Sequence, residues 1–279
     1  MPTTPSPLRY PGGKTAYAPM LRRIIVDNDL RQCNYVEPFA GGGGAAISLL
    51  LTGDVGHIWL NDLDYSIFAF WKAILEHTDV FIRLIQSKRI SMAEWRRQRE
   101  VYHSDSKDIL SRGFATFYLN RCNRAGILAA NPVGGLRQTG DYKMNARFKK
   151  DVLITKIRVI AEMRELITVS NYDAVHFLKH RLPKTEKTLI YFDPPYYQKG
   201  GLLYLNHYTP EDHETLCNAI KKCRHPWLLS YDDRPEIMKL YRGISIYRRG
   251  LRYSISTPSI GSELIISDLR MPDSLDGVA

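Results

Sequence analysis

The chain has 279 residues, enough for one large α/β domain with or without a smaller insertion but cramped for two equal domains. Apolar residues make up 44% and charged residues 24%, which excludes wholesale disorder, and no apolar run approaches the ~20 residues that a membrane span needs. The formal net charge is +10, and residues 75–150, with 15 basic and 7 acidic side chains, hold +8 of it, so a dedicated polyanion surface explains the distribution better than general solubility.

In chain order, a Pro-rich start leads to a glycine turn at Pro11-Gly12-Gly13-Lys14 and a predicted helix through Leu21 to Val26. The pattern then alternates. A strand at Tyr35-Val36 runs through Glu37-Pro38-Phe39 into four glycines, Gly41 to Gly44. A helix follows over Ala45 to Leu51, and a second strand, Ile58 to Leu60, ends at Asn61-Asp62. This spacing predicts the opening βαβ unit of a Rossmann-like sheet. Residues 75–150 read as an insertion with helical apolar spacing and a loop at Asn131-Pro132-Val133-Gly134-Gly135. Strands are expected again at Leu189 to Phe192, Trp227 to Ser230 and Leu264 to Ile266. The helix after Thr209 should carry a capping box, with Pro210 first and Asp212 closing it.

Gly41-x-Gly43-x-x-Ala46, with Asp62 twenty-one residues beyond Gly41, suits a nucleoside cofactor. Glycine lets a ligand approach the backbone, and an acid at the next strand tip accepts ribose hydroxyls. Dehydrogenases share this pattern, so it does not choose a chemistry. Gly13-Lys14-Thr15 fails as a phosphate-binding loop because Leu8 stands where glycine is required. His213-Glu214 meets Cys217 where a zinc protease needs a second histidine. His176 and His180, four apart, could bind a metal on a helix, but surface or core histidines are much the commoner explanation. Cys33, Cys122, Cys217 and Cys223 form no metal or disulfide pattern and are expected to be reduced and buried. With no secretory pattern at the N-terminus, the expected location is cytoplasmic.

The most informative segment is Asp193-Pro194-Pro195-Tyr196, directly after the strand ending at Phe192. A carboxylate there lies where α/β sheets place ligands, and the prolines stiffen the backbone behind it. An exocyclic aryl amine is a poor nucleophile because its lone pair is delocalised. If the Asp193 carboxylate and the Pro194 carbonyl each accept one of its N–H bonds, the lone pair turns toward an incoming electrophile. Tyr196 can stack on the ring that carries the amine.

Together these segments resemble the Dam-type DNA adenine methylases, the alpha group of amino-methyltransferases, almost from end to end. Arg9-Tyr10-Pro11-Gly12-Gly13-Lys14 is similar to the family's N-terminal motif, whose aromatic residue and lysine contact S-adenosylmethionine. Glu37-Pro38-Phe39-Ala40-Gly41-Gly42-Gly43 is similar to its glycine motif and Asn61-Asp62 to its ribose-binding acid. Asp173 corresponds to the acid that accepts from the cofactor's adenine amine, and Asp193 to Tyr196 form its catalytic motif. Further local likeness lies at Asn120-Arg121, Gly126, Arg147-Phe148-Lys149, Tyr204 with Tyr208, and Glu263 to Ile266.

The resemblance implies a seven-stranded, mostly parallel methyltransferase sheet from residues 1–74 and 151–279, with a helical target-recognition insertion at 75–150. It also implies methyl transfer from S-adenosylmethionine to a flipped-out adenine, without metal. The implied cofactor residues are Tyr10, Lys14, Glu37, Phe39, Gly41, Gly43, Asp62, Asp173 and Asp193. Asp193, Pro194, Pro195 and Tyr196 are the catalytic set. The partner is double-stranded DNA, with a cognate restriction enzyme or other defence component as a further partner. Arg121, Arg124, Arg137 and Lys143 are the candidate DNA contacts, and Lys149 and Lys150 the candidate phosphate contacts. GATC methylases of this kind have Asn-Gly-Leu-Cys-Arg where Ala125-Gly126-Ile127-Leu128-Ala129 stands, so the base-reading arginine is missing and the likeness does not extend to a GATC target. The alternatives are a methyltransferase of RNA or of a protein amide, and a DNA-binding relative that has lost catalysis.

Overall fold

The computed structural model describes residues 4–10, 12–184, 187–197, 208–253, 259–272 and 275–278, the backbone alone at 251–253, 259–261 and 276–278. Pro11 and Tyr204, both named above, lie outside the described residues. The chain divides into two compact units, one of residues 1–16, 41–48 and 62–171, the other of residues 17–40, 49–61 and 172–279.

The second unit carries a sheet. Its strands are β1 (Asn34–Glu37), β2 (His57–Asn61), β4 (Thr188–Phe192), β5 (Trp227–Asp232), β6 (Ile246–Tyr253), β7 (Ser259–Ile266) and β8 (Asp276–Val278), the label β3 being kept for Ile167–Ser170 of the other unit. These seven run in the order β2-β1-β4-β5-β7-β6-β8. Thr188–Phe192 is buried at every position, as a parallel strand covered on both faces must be. Parallel pairing joins β1 to β2, β1 to β4 and β4 to β5. It stops there, because β7 pairs antiparallel with both β5 and β6, and β8 antiparallel with β6. The expected Rossmann-like seven-stranded sheet is present, but only its first half is parallel. Five residues separate Tyr253 from Ser259, too few for the crossover that parallel neighbours require.

Helices α1 (Ala18–Asp27), α8 (Ala174–His180), α9 (Pro210–Lys221) and α10 (Pro235–Leu240) belong to this unit. The Thr209 hydroxyl and the Asp212 carboxylate form the expected capping box at the start of α9. Leu216 and Ile220 of that helix join Ile190, Phe192, Leu229 and Leu264 in one apolar core.

The first unit is helical: α3 (Tyr65–Glu76), α4 (Thr78–Ser87), α5 (Met92–His103), α6 (Ile109–Cys122) and α7 (Lys150–Glu162), with α2 (Gly44–Leu51) beginning in it. Asp64, Ser91 and Asp108 cap α3, α5 and α6 through side-chain oxygens. Aromatic rings fill the interior. Phe70 stacks on Phe117 at 6.1 Å, Phe81 and Phe148 pack edge-on against the pair, and Phe114 packs edge-on against Phe81. The unit extends beyond residues 75–150, because the buried face of α3 and that of α7 close the same core. Three cysteines are buried as expected; Cys223 is half-buried, and all four are free.

Candidate active site

At the carboxyl end of β4 the chain enters Asp193-Pro194-Pro195-Tyr196 with Pro194 buried. Asp193 Oδ1 accepts the Ser230 hydroxyl at 3.1 Å, and the Tyr191 hydroxyl lies 2.8 Å from the same serine oxygen. Ser230 has one proton and gives it to Asp193, so Tyr191 donates to Ser230 and the two hydroxyls form a polarised relay that orients the carboxylate. Just beyond the segment, Tyr197 N–H is held by Asp232 at 2.9 Å. Tyr196 donates its hydroxyl to Glu263, which also accepts from Tyr17. Burial, then the Asp193 and Glu263 carboxylates, push Tyr196 well above the usual phenol range, so it stays a neutral donor.

Asn61, at the tip of β2, organises the neighbouring loops. Its amide donates to the carbonyls of Pro38 at 3.0 Å and Tyr172 at 2.9 Å, its side-chain oxygen accepts from Tyr172 N–H at 3.0 Å, and its own carbonyl receives Ala40 N–H at 2.9 Å. One buried amide thus fixes the segment carrying Glu37 and Phe39 and the approach to Asp173. The sequence named Asn61 only as the neighbour of Asp62; its position after an apolar strand was the available signal. Glu37 is buried, Phe39 meets the Tyr208 ring edge-on at 6.0 Å, and Asp173 caps α8 by accepting from Val175 and His176 N–H, each at 3.0 Å.

In the helical unit, the glycine turn and the N-terminal segment come together. Gly41 has φ +46°, and a Cβ there would lie 2.8 Å from the Tyr10 ring, while one on Gly42 would lie 2.9 Å from Tyr10 Cβ. These positions are glycine because Tyr10 lies directly against them. Asp62 accepts Gly41 N–H at 2.8 Å on one oxygen and Asp64 N–H at 2.9 Å on the other. Burial, reinforced by the Asp64 carboxylate and opposed by these donors, pushes its carboxyl up to about 7. Lys14 is buried at the start of a 3-10 turn. A cleft of about 480 Å³ is lined by Ser6, Tyr10, Thr15, Gly42, Gly44 and Ala125 among others.

Asn120 holds this arrangement from α6. Its side chain accepts Arg9 N–H and donates to the carbonyls of Arg9 and Gly126, all within 2.8 Å. Asn123 similarly donates to the Ile127 and Leu128 carbonyls and accepts from Trp95.

The basic candidates separate into two kinds. Arg121 is engaged with the main-chain carbonyl of Arg147, and burial followed by Arg9 lowers it to about 10. Lys143 donates to the Gln138 and Gly140 carbonyls and Lys150 to those of Gln86 and Lys88. Arg124, Arg137 and Lys149 are exposed, and so is Lys143 apart from its bonds to the two carbonyls. Among the described residues, no cluster of three or more His, Cys, Asp or Glu side chains is arranged to hold a metal ion, and no helix is long and apolar enough to cross a membrane.

The chain is 22% identical over 264 residues to the type II methyltransferase M.MjaIII of Methanocaldococcus jannaschii, an alignment covering 89% of this chain and 82% of that protein. It is 24% identical over 255 residues to a DNA adenine methylase of Vibrio cholerae, covering 86% and 85% of the two. The sequence profile of the family described as D12 class N6 adenine-specific DNA methyltransferase matches residues 10–255. The chain belongs to that family and is an adenine-specific DNA methyltransferase.

Proposed function

We propose that this enzyme methylates adenine within double-stranded DNA at Asp193-Pro194-Pro195-Tyr196, using S-adenosylmethionine held by Tyr10, Lys14, Glu37, Phe39, Gly41, Gly43, Asp62, Asp173 and Asp193. The observation that carries the reading is the Tyr191–Ser230–Asp193 relay, which aims one carboxylate at the carboxyl end of the sheet. S-adenosylmethionine supplies an electrophilic methyl group on a sulfonium sulfur.

The residues present suit that group. A carboxylate has about four acceptor sites, and Asp62 uses two on backbone N–H groups, leaving capacity for ribose hydroxyls. The cleft beside Tyr10 and Gly42, at about 480 Å³, falls in the usual range of small-molecule sites. Asp193 and the Pro194 carbonyl accept the two N–H bonds of the adenine amine, pulling its lone pair out of conjugation. Tyr196 covers the base, and the prolines keep the acceptors from relaxing away.

The exposed Arg124, Arg137 and Lys149 serve as DNA contacts, whereas Arg121 and Lys143 shape the 75–150 region that presents them. With Ala125-Gly126-Ile127-Leu128-Ala129 where GATC methylases have Asn-Gly-Leu-Cys-Arg, this reading does not extend to a GATC target. A cytoplasmic enzyme accompanied by a restriction or other defence component is the setting this reading suits.

The test is tritium transfer from labelled S-adenosylmethionine to DNA, RNA and protein in parallel. Label is expected in DNA adenine, with the rate falling at least ~100-fold in Asp193→Ala. Near-normal turnover in that variant would refute the assignment.

A further inference from the structure

Three residues stand in register across the antiparallel half of the sheet. Asp232 of β5 faces Glu263 of β7, which faces Arg249 of β6. Directly opposed residues on antiparallel strands share one face, and two like charges in that position cost stability. Arg249 on the other side of Glu263 supplies the opposite charge, so the row is acid, acid, base, and what each group holds is the question. Glu263 is only 2% exposed, and a carboxylate so buried is costly unless hydrogen bonds and an opposite charge satisfy it.

We propose that Glu263 is a positioning residue for methyl transfer, its carboxylate joining the hydroxyls of Tyr17 and Tyr196 so that the Tyr196 ring is held in one plane. The inference rests on Asp193 to Tyr196 being the catalytic segment. Each carboxylate oxygen receives a different tyrosine: Tyr17 on Oε2 and Tyr196 on Oε1. Glu263 grips the outer end of the Tyr196 ring. Its register partner Asp232 grips the backbone just after it, through Tyr197 N–H at 2.9 Å. Two facing residues on adjacent strands thus hold both ends of one aromatic side chain, and Pro195 stiffens the peptide before it.

Arg249 completes the row, its guanidinium 4.1 Å from the centroid of the Tyr17 ring, which keeps Tyr17 beside the carboxylate. Burial first and Glu263 next push the Tyr17 hydroxyl far up, so it too remains a neutral donor throughout the working pH range. A ring with fixed torsions meets a flipped base without first being ordered, and its alignment is set before the substrate arrives.

The experiment compares Tyr196→Phe, Glu263→Gln, the double variant and Asp193→Ala by single-turnover methyl transfer, with S-adenosylmethionine affinity and Tm measured on each. Tyr196→Phe keeps the ring and deletes only the hydroxyl. It should slow transfer by about 10- to 100-fold, the range expected of a misplaced reactant, with cofactor affinity and Tm close to wild type. Glu263→Gln should fall in the same direction, less severely than Tyr196→Phe, because its amide can still bond one tyrosine. The double variant should be no slower than its slower parent, since both changes release the same ring.

Wild-type transfer by Tyr196→Phe, or strictly multiplicative losses in the double variant, would overturn the positioning role. Asp193→Ala separates the two readings. If it is inactive while Tyr196→Phe is normal, only the role of Glu263 fails; if it is itself fully active, the catalytic segment has been misassigned.

Discussion

Glu263 and Asn120 are both buried polar side chains, at 2% and 1% exposure, yet they use their hydrogen bonds in opposite ways. In the sheet unit, Glu263 holds the side chains of Tyr17 and Tyr196, and Ser230 holds that of Asp193. In the helical unit, Asn120 holds the main chain of Arg9 and Gly126, Asn123 that of Ile127 and Leu128, and Arg121 that of Arg147. A side chain that orients another side chain can be changed with the backbone left in place. One that replaces missing backbone partners cannot, because its removal strands buried carbonyls and N–H groups. Changes at Glu263 and Ser230 should therefore show in rate, and changes at Asn120, Asn123 and Arg121 in stability.

The largest expected effect lies at Gly126. It has φ +80°, and an added Cβ would lie 2.2 Å from the Arg9 carbonyl oxygen. Gly126→Ala should cost about 3–5 kcal/mol, combining backbone strain with overpacking. Asn120→Ala, which leaves three backbone groups without their partner, should follow at about 2–4 kcal/mol. Ser230→Ala provides the contrast: about 1 kcal/mol in urea unfolding, but a roughly tenfold slower transfer as Asp193 loses its donor. Asn120→Ala with unchanged stability, or Ser230→Ala with a collapsed fold, would erase the distinction.

Asp62 gives a pH test on the main-chain-holding side. Its carboxyl is pushed up to about 7 in the folded chain, against about 3.9 when unfolded. Between these values the folded chain binds more protons than the unfolded one. Stability should therefore fall as pH rises from about 4 to about 7, by no more than about 4 kcal/mol in total. Asp62→Asn should flatten that slope in unfolding experiments across the range. Ribose hydroxyls donate best to the ionised form, so calorimetric affinity for S-adenosylmethionine should climb as pH passes 7 in the wild type and stay level in the variant.

The same distinction governs what could be read from sequence. Segments whose periodicity or capping is local were legible: β1 and β2, the glycine turn, and α9 with its Thr209–Asp212 box. So was the position of Asp193 at a strand end, because an all-apolar run marks the strand and the carboxylate ends it. Partners far apart along the chain were not. Nothing local to Glu263 announces Tyr17 and Tyr196, and nothing in Asn120 announces Arg9, 111 positions away. The antiparallel half of the sheet was missed because a single buried strand looks alike in either pairing. Counting charge located the basic region but could not separate exposed Arg124 and Lys149 from Arg121 and Lys150, whose charged groups are taken up by carbonyls.

That separation is itself testable by salt titration of DNA binding. Lys149→Gln removes an exposed charge and should reduce the slope of log affinity against log salt by about 0.9 if it neutralises one phosphate. Lys150→Gln should leave the slope in place and instead lower stability by about 1–2 kcal/mol, because the Gln86 and Lys88 carbonyls lose their donor. Equal slopes for the wild type and Lys149→Gln would remove Lys149 from the DNA interface.

The smallest effect is expected at Ala125, an exposed residue with φ +53° just before Gly126. An L-residue with a Cβ in this left-handed region costs roughly 1–2 kcal/mol, whereas glycine carries no such penalty but has more unfolded-state entropy to lose, about 0.4–1 kcal/mol. The difference leaves Ala125→Gly stabilising by about 0.5–1 kcal/mol. Ala125→Asn should match or exceed it, since asparagine tolerates the left-handed region without glycine's entropic cost. Both changes leave Asn120 and its three backbone bonds intact, so they probe the strain of the turn alone. If urea unfolding found both variants less stable than the wild type, the turn would owe its shape to the Ala125 side chain, and main-chain anchoring by Asn120 and Asn123 would not be what holds this loop.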